Sequence, residues 1–240
     1  MFKHLLIPLD GSRLAEAALG PAAFLAEKLA ASVTLIHVIE KNAPDEIHGE
    51  RHLTNEEDAR HYLEEVSAEA FGPNVKVELH IHTKEVSDVA RSITDHAAEY
   101  EPDLIVMCAH GQGGLRDLMV GSIAQQVIGM RTTPVLLLRP EEDVKSKEFA
   151  LRRVMVGLDA VPEHERSLAL AGELAEWVGA GLHLVNVVQT VDTLRGDRAA
   201  AGKLLPMTAM AMLDMTAESA LEYLESRAKP WRGRHVEVTT

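Results

Sequence analysis

The chain has 240 residues, of which 46% are apolar and 25% charged, and it carries a formal net charge of −13. That balance is ordinary for a globular protein, and the negative charge excludes a bulk electrostatic attraction to nucleic acids or anionic membranes, which are themselves negative. A single cysteine, Cys108, excludes an internal disulfide and suits a reducing compartment.

The N-terminal run Leu5-Leu6-Ile7-Pro8-Leu9 is too short for a signal peptide and stops at Asp10. No stretch approaches the ~18 uninterrupted apolar residues of a membrane span, so a cytoplasmic protein without a membrane or nucleic-acid partner is expected. The run at 5–9 reads instead as a strand covered on both faces. Ser12 is placed to cap a helix over 13–30, where Leu14, Ala18, Leu25 and Leu29 recur at helical spacing. Val33 to Ile39 is a second buried strand, followed by a polar loop from Lys41 to Asn55. A helix over 55–71 ends at Gly72-Pro73. Val75 to Ile81 alternates as an edge strand would, and a helix over 86–100 stops before Pro102. Leu104 to Cys108 is a fourth, fully apolar strand. A glycine-rich loop leads to Gly121-Ser122, where another helix starts, and Pro134 to Leu138 is the fifth strand. Strictly alternating strands and helices require crossover connections and a parallel sheet. The fold class is therefore α/β, an open parallel sheet with helices on both faces.

A charged linker over 141–150 separates residues 1–140 from a partial second copy over 151–240. At a fixed offset of 149, Leu9-Asp10 matches Leu158-Asp159, Leu25-Ala26-Glu27 matches Leu174-Ala175-Glu176, and Leu35 and Val38 match Leu184 and Val187. Identities at one offset, without a gap, point to an internal repeat. The second copy reads as strand 154–158, a helix, strand 182–188, a helix over 208–227 and a third strand near His235. It is either a fragment or a half-domain completed against another surface.

Chemistry concentrates in the loop Cys108-Ala109-His110-Gly111-Gln112-Gly113-Gly114-Leu115-Arg116-Asp117-Leu118-Met119-Val120-Gly121-Ser122. Glycines let backbone amides approach a ligand closely. A helix beginning at Ser122 offers unpaired amides and a partial positive charge, the requirements of a phosphate site. The competing reading is a plain glycine turn with a serine cap. Asp10 ends the first strand; with strand four beside strand one it faces this loop across the crevice where ligands bind in open α/β sheets. A carboxylate there suits ribose hydroxyls, although Asp10 is equally placed to cap the helix at 13.

These residues resemble the universal stress protein family in a tandem arrangement. The family's motif is Gly, two residues, Gly, nine residues, then Gly and Ser or Thr. Here Gly111, nine residues and Gly121-Ser122 match it, with Cys108 standing where the family has its first glycine. The resemblance implies a five-stranded sheet of order 3-2-1-4-5, with Pro8, Asp10 and Val38 lining an adenine and ribose pocket. Met107 and Cys108 would lie against the ribose; Gly111, Gly121, Ser122, Ile123 and Ala124 would contact the phosphates. His110, beside the glycines, is placed to touch phosphate or activate water, but such a residue more often orients a loop, and it is not assigned as a base. It implies ATP, with Mg as its companion ion, as the ligand of a stress-response regulatory protein with slow hydrolysis at most. It also implies a homodimer through Pro134 to Leu138. The side chain of Cys108 is expected to weaken binding rather than abolish it.

Two other readings compete. A phosphoryl-transfer enzyme is disfavoured because the loop contains no lysine and no Gly-x-x-x-x-Gly-Lys-Ser/Thr pattern. A scaffold of the same fold that binds no nucleotide is the third. His80 and His82 share one face of a strand and form half of a metal site, but no cysteine or carboxylate is spaced to complete it, so an exposed strand face is the better reading. His48 and His52 are read as solvated loop. Met207, Met210, Met212 and Met215 are read as core or interface packing.

Overall fold

The computed structural model describes residues 1–43, 46–47, 50–109, 121–130, 133–139, 149–196, 199–200 and 204–240. These divide into two compact units, Phe2–Ala150 and Leu151–Thr240.

In the first unit, strands β1 (His4–Pro8), β2 (Ser32–Glu40), β3 (Val77–Val86), β4 (Leu104–Cys108) and β5 (Val135–Leu138) form one sheet. Its order is β3-β2-β1-β4-β5 and every pairing is parallel, so the expected 3-2-1-4-5 topology holds. Alternation divides the apolar strands between two cores. Leu6, Ile36, Val38, Ile105 and Met107 pack with Ala90, Ile93 and Ala97 of α4 (Val89–Tyr100) and with Ala124 and Val127 of α5 (Ser122–Met130). Leu5, Ile7 and Leu35, all fully buried, face the other way. There α2 (Leu19–Leu29) packs on β1, and α3 (Glu56–Ala70) packs on β2 and β3.

The structure departs from the sequence expectations in local ways. The helix expected over 13–30 is broken into α1 (Arg13–Glu16) and α2. Pro21 explains the break: it has no N–H to continue a helix from α1, and it is tolerated in the first turn of α2, where that N–H has no partner in any case. Strand β3 runs on to Val86 because its pairing with β2 resumes past an irregularity, with Glu40 opposite Val86. The loop after β2 contains a short antiparallel ladder, Glu46–Ile47 against Glu50–Arg51. The expected linker mostly lies outside the described residues, but the compact unit extends to Ala150, and the Phe149 ring meets Phe24 edge-on at 5.4 Å.

The second unit is a three-stranded parallel sheet of β6 (Arg153–Gly157), β7 (Gly181–Val185) and β8 (Val238–Thr239), in the order β8-β7-β6. Helices α6 (Arg166–Val178) and α7 (Pro206–Arg232) accompany it. The β1–β2 register, His4 opposite Ser32 through Pro8 opposite Ile36, recurs 149 residues later as Arg153 opposite Gly181 through Gly157 opposite Val185. The hydrogen bond from the Leu9 amide to the Ile36 carbonyl, 2.9 Å, recurs as Leu158 to Val185, 2.8 Å. Helix α7 buries Leu224, Ala228 and Trp231 in this unit, while Met207, Met210, Met212 and Met215 are exposed. These methionines are thus outside its core: a 27-residue helix is about 40 Å long, and only its C-terminal part contributes to the core.

Candidate functional site

Strand β1 lies between β2 and β4, so the chain leaves its C-terminal end toward one side of the sheet and returns on the other. A crevice opens at such a reversal. Here it is a cleft of about 240 Å³ that includes Pro8, Asp10, Val38, Met107, Cys108, Gly121, Ser122, Ile123 and Ala124. Nine of the eleven residues singled out in the sequence therefore meet around one space. His110 and Gly111, with the rest of the glycine loop, lie outside the described residues.

Each wall has a local cause. Asp10 follows β1 and is held by Ser12, whose amide and hydroxyl donate to Asp10 Oδ1 at 2.9 and 2.7 Å. The Ser12 hydroxyl in turn accepts from the Ala15 amide at 3.2 Å. Ser12, rather than Asp10, therefore caps α1, and the carboxylate is oriented by the cap instead of serving as it. Gly11 makes the turn between them with φ +91°, a conformation that L side chains rarely adopt. On the opposite wall the Gln125 amide donates to the Gly121 carbonyl at 2.9 Å, the first hydrogen bond of α5. Gly121 is thus the flanking residue, and the amides of Ser122, Ile123 and Ala124 precede the helical ladder and have no partner within it. The helix dipole adds partial positive charge at the same place.

Cys108 ends β4 against the cleft. The residue is 2% exposed, and its thiol donates to the Ala15 carbonyl of α1 at 3.8 Å. Burial, reinforced by the Asp10 carboxylate, pushes this thiol up to about 12, so it stays protonated and unreactive near neutral pH.

Sequence reasoning passed over several residues of the lining. His37, buried within β2, joins the end of β1 to the loop before α3: Nδ1 lies 2.8 Å from the Leu9 carbonyl and Nε2 3.1 Å from the Leu53 carbonyl. Glu40 reaches the cleft beside the irregularity in β2, and Val89 and Ile93 reach it from α4. His52 corrects the solvated-loop expectation: it is buried, lines the cleft, and its Nδ1 has no hydrogen-bond partner among the described residues. His37 and Glu40 could have been found from their place near the C-terminal end of a strand next to the reversal. His52 carries no such signal, because only the fold brings its loop under the sheet end.

Residues 1–139 match the universal stress protein family. The chain belongs to that family. Universal stress protein YxiE of Bacillus subtilis is 28% identical over 155 residues, covering 58% of this chain and 100% of that protein. Universal stress protein MJ0531 of Methanocaldococcus jannaschii is 32% identical over 147 residues, covering 58% of this chain and 83% of that one. Among solved structures, protein PA1789 of Pseudomonas aeruginosa PAO1, described as functionally unknown, superposes with a TM-score of 0.60 at 15% identity. That match covers 100% of this chain and 74% of PA1789. A universal stress protein from Archaeoglobus fulgidus gives a TM-score of 0.51 at 19% identity, covering 86% of this chain and 73% of that one. At these identities the two structural likenesses concern fold alone. Among the described residues, no helix of this universal stress protein is long and apolar enough to cross a membrane.

Proposed function

We propose that the chain is a stress-response regulatory protein that holds an adenine nucleotide, ATP, in the cleft at the end of β1. The observation that carries this reading is the opposition of two polar walls: the oriented carboxylate of Asp10, and the unladdered amides at the start of α5. A carboxylate accepts from ribose hydroxyls, and the amides of a helix start donate to phosphate oxygens. Apolar Val38, Ile36 and Ile93 between them suit a purine face. The Nδ1 of His52, buried without a hydrogen-bond partner among the described residues, adds a polar atom that a nucleotide hydroxyl or ring nitrogen would satisfy. His110 and Gly111 belong to the proposed phosphate contacts by their place in the motif, and Mg would arrive with the phosphates. The lysine-free loop supports a binding role with little turnover.

Ser122→Ala combined with Gly121→Val tests the site. The pair removes a hydroxyl donor and the close backbone approach, so ATP affinity should fall by more than ~2 kcal/mol, roughly thirtyfold. Isothermal titration of the wild type and the double variant, with circular dichroism to verify the fold, decides it. Wild-type affinity in the folded double variant would overturn the reading, and so would a wild type with no affinity for ATP.

We also infer that Leu151–Thr240 is a partial tandem copy of the first unit. Support comes from contacts that recur at the 149-residue offset. The Asn186 side-chain Nδ2 donates to the Leu158 carbonyl at 2.7 Å where the His37 ring meets that of Leu9, and Asp159 Oδ1 accepts from the Val161 amide at 3.1 Å where Asp10 accepts from Ser12. Strand β5 ends the five-stranded sheet with half-buried Val135 to Leu138, and apolar edges favour a pairing partner. A homodimer through this strand is the proposed assembly, and light scattering that gives a monomer at micromolar concentration would refute it.

A further inference from the structure

Beside the cleft, the same sheet carries a second group of polar side chains that nucleotide binding does not use. His80 and His82 alternate along β3 and so share one face. They stand opposite Ile36 and Val38 of β2, which pack against α4, and the solvated face expected from sequence is instead half-buried. Helix α4 brings His96, itself buried, over them: its ring centroid lies 4.5 Å from that of His80 and 4.9 Å from that of His82. One ring nitrogen from each of the three histidines lies within 4.8 Å of the others.

The hydrogen bonds around the rings fix which nitrogens are available. His96 Nδ1 lies 2.8 Å from the Ser92 carbonyl, which can only accept. The proton therefore sits on Nδ1, and Nε2 carries a lone pair. His80 Nδ1 is engaged by the Tyr100 hydroxyl at 2.9 Å. The Nε2 atoms of His80 and His82 are both buried without a hydrogen-bond partner among the described residues. A single buried orphan is a modest cost; two on neighbouring rings, beside a third ring with its lone pair fixed, indicate a missing common partner.

We propose that His80, His82 and His96 form a three-histidine site for a divalent transition-metal ion, with Zn2+ as the reference ion. Three imidazoles and no thiolate suit Zn2+, Ni2+ or Cu2+ and do not suit Mg2+ or Ca2+, which require oxygen ligands. Zinc–nitrogen bonds of 2.0–2.1 Å place tetrahedral ligands about 3.4 Å apart, so the rings close on an ion by small side-chain rotations. The Ser92 carbonyl and the Tyr100 hydroxyl supply the outer partners that orient metal-bound imidazoles. Three protein ligands leave one coordination position for water or an exogenous donor.

The test uses the full chain, expressed without a polyhistidine tag, stripped with EDTA and titrated with ZnCl2 by calorimetry, with melting curves in parallel. The expected result is one saturating ion per chain at micromolar concentration or below, a higher melting temperature with Zn2+, and no change with Mg2+. His82→Leu removes a ligand whose Nε2 has no hydrogen bond among the described residues, so it should weaken Zn2+ at least tenfold and leave the metal-free protein no less stable. Tyr100→Phe should weaken Zn2+ about tenfold through the outer shell, while His61→Ala, at an exposed position on α3, should leave it unchanged. Absence of saturable Zn2+ binding would overturn the proposal. So would binding that survives His82→Leu undiminished. Neither outcome bears on ATP affinity, which is measured separately.

Discussion

Gly11 is the hinge on which the carboxylate wall of the cleft turns, and Gly11→Ala should expose that dependence. The substitution acts in two ways. A φ of +91° is rarely open to alanine, and holding an L side chain there costs roughly 1–3 kcal/mol. The new Cβ would also stand 2.8 Å from Leu53 Cδ1 and 2.9 Å from its Cγ. The Leu53 carbonyl is tied to His37 Nε2 at 3.1 Å, so relief must come from rotation of the Leu53 side chain at about 0.5–1.5 kcal/mol. The expected total is about 1.5–4.5 kcal/mol, measured by urea unfolding of the first unit. A double-mutant cycle with Leu53→Ala separates the parts. The steric part disappears in the double variant and the backbone part remains. Gly11→Asn should cost less than Gly11→Ala, because asparagine tolerates positive φ. Since Asp10 and Ser12 flank the turn, ATP affinity should fall together with stability. A Gly11→Ala protein within ~0.5 kcal/mol of wild type would refute this account of the turn.

Cys108 should resist iodoacetamide in the native protein and react once guanidinium unfolds it, because thiolate is the reactive form. Its raised folded value, about 12, against about 8.5 in the unfolded chain also has a pH consequence. Above pH ~9 the unfolded thiol ionises and the folded one does not, so the folded state binds more protons and stability falls as pH rises toward 12. At pH 10 the loss is about 2 kcal/mol, and it should be missing from Cys108→Ala, measured by urea unfolding at pH 7 and 10; equal pH slopes for the two proteins would contradict the burial argument. In the second unit, Gly172 of α6 lies under the Trp231 ring, and a Cβ there would overlap three ring carbons. Gly172→Ala gains about 1 kcal/mol of helix propensity but forces a buried indole to move at 1–3 kcal/mol or more. Net destabilisation is expected by thermal melting, and a stabilised variant would show the indole free to shift.

How much of this was legible beforehand depends on the range of the interactions involved. Strands β1 and β4 could be read directly, because both of their faces are covered and the covered residues are contiguous in sequence. The cleft could be read because parallel topology alone brings the ends of β1 and β4 together, and with them Asp10 and Ser122. Pro21 marked the break between α1 and α2, yet the helical spacing of Leu14, Ala18 and Leu25 runs straight through it, since periodicity records which face is buried and not whether the helix is continuous. The position of His52 depends on how one loop folds back under the sheet, and no local pattern encodes that.

The histidine cluster shows the limit of local reading most clearly. The pair on β3 is visible at spacing two, but no cysteine or carboxylate is spaced along the chain to complete it. The third ligand comes from α4, fourteen residues after His82, and reaches the pair only because α4 crosses back over β2 and packs on Ile36 and Val38. The same packing puts Val89 and Ile93 against the cleft, so a single helix supplies one wall of the cleft and the third member of the cluster. His96 lies three residues beyond Ile93, just under one 3.6-residue turn. That spacing keeps its ring on the sheet-facing side of the helix while carrying it away from the cleft toward β3. An imidazole at a core-facing position of α4, beside Ala97 and opposite two more histidines, is the signal that pairing α4 with β3 would have revealed.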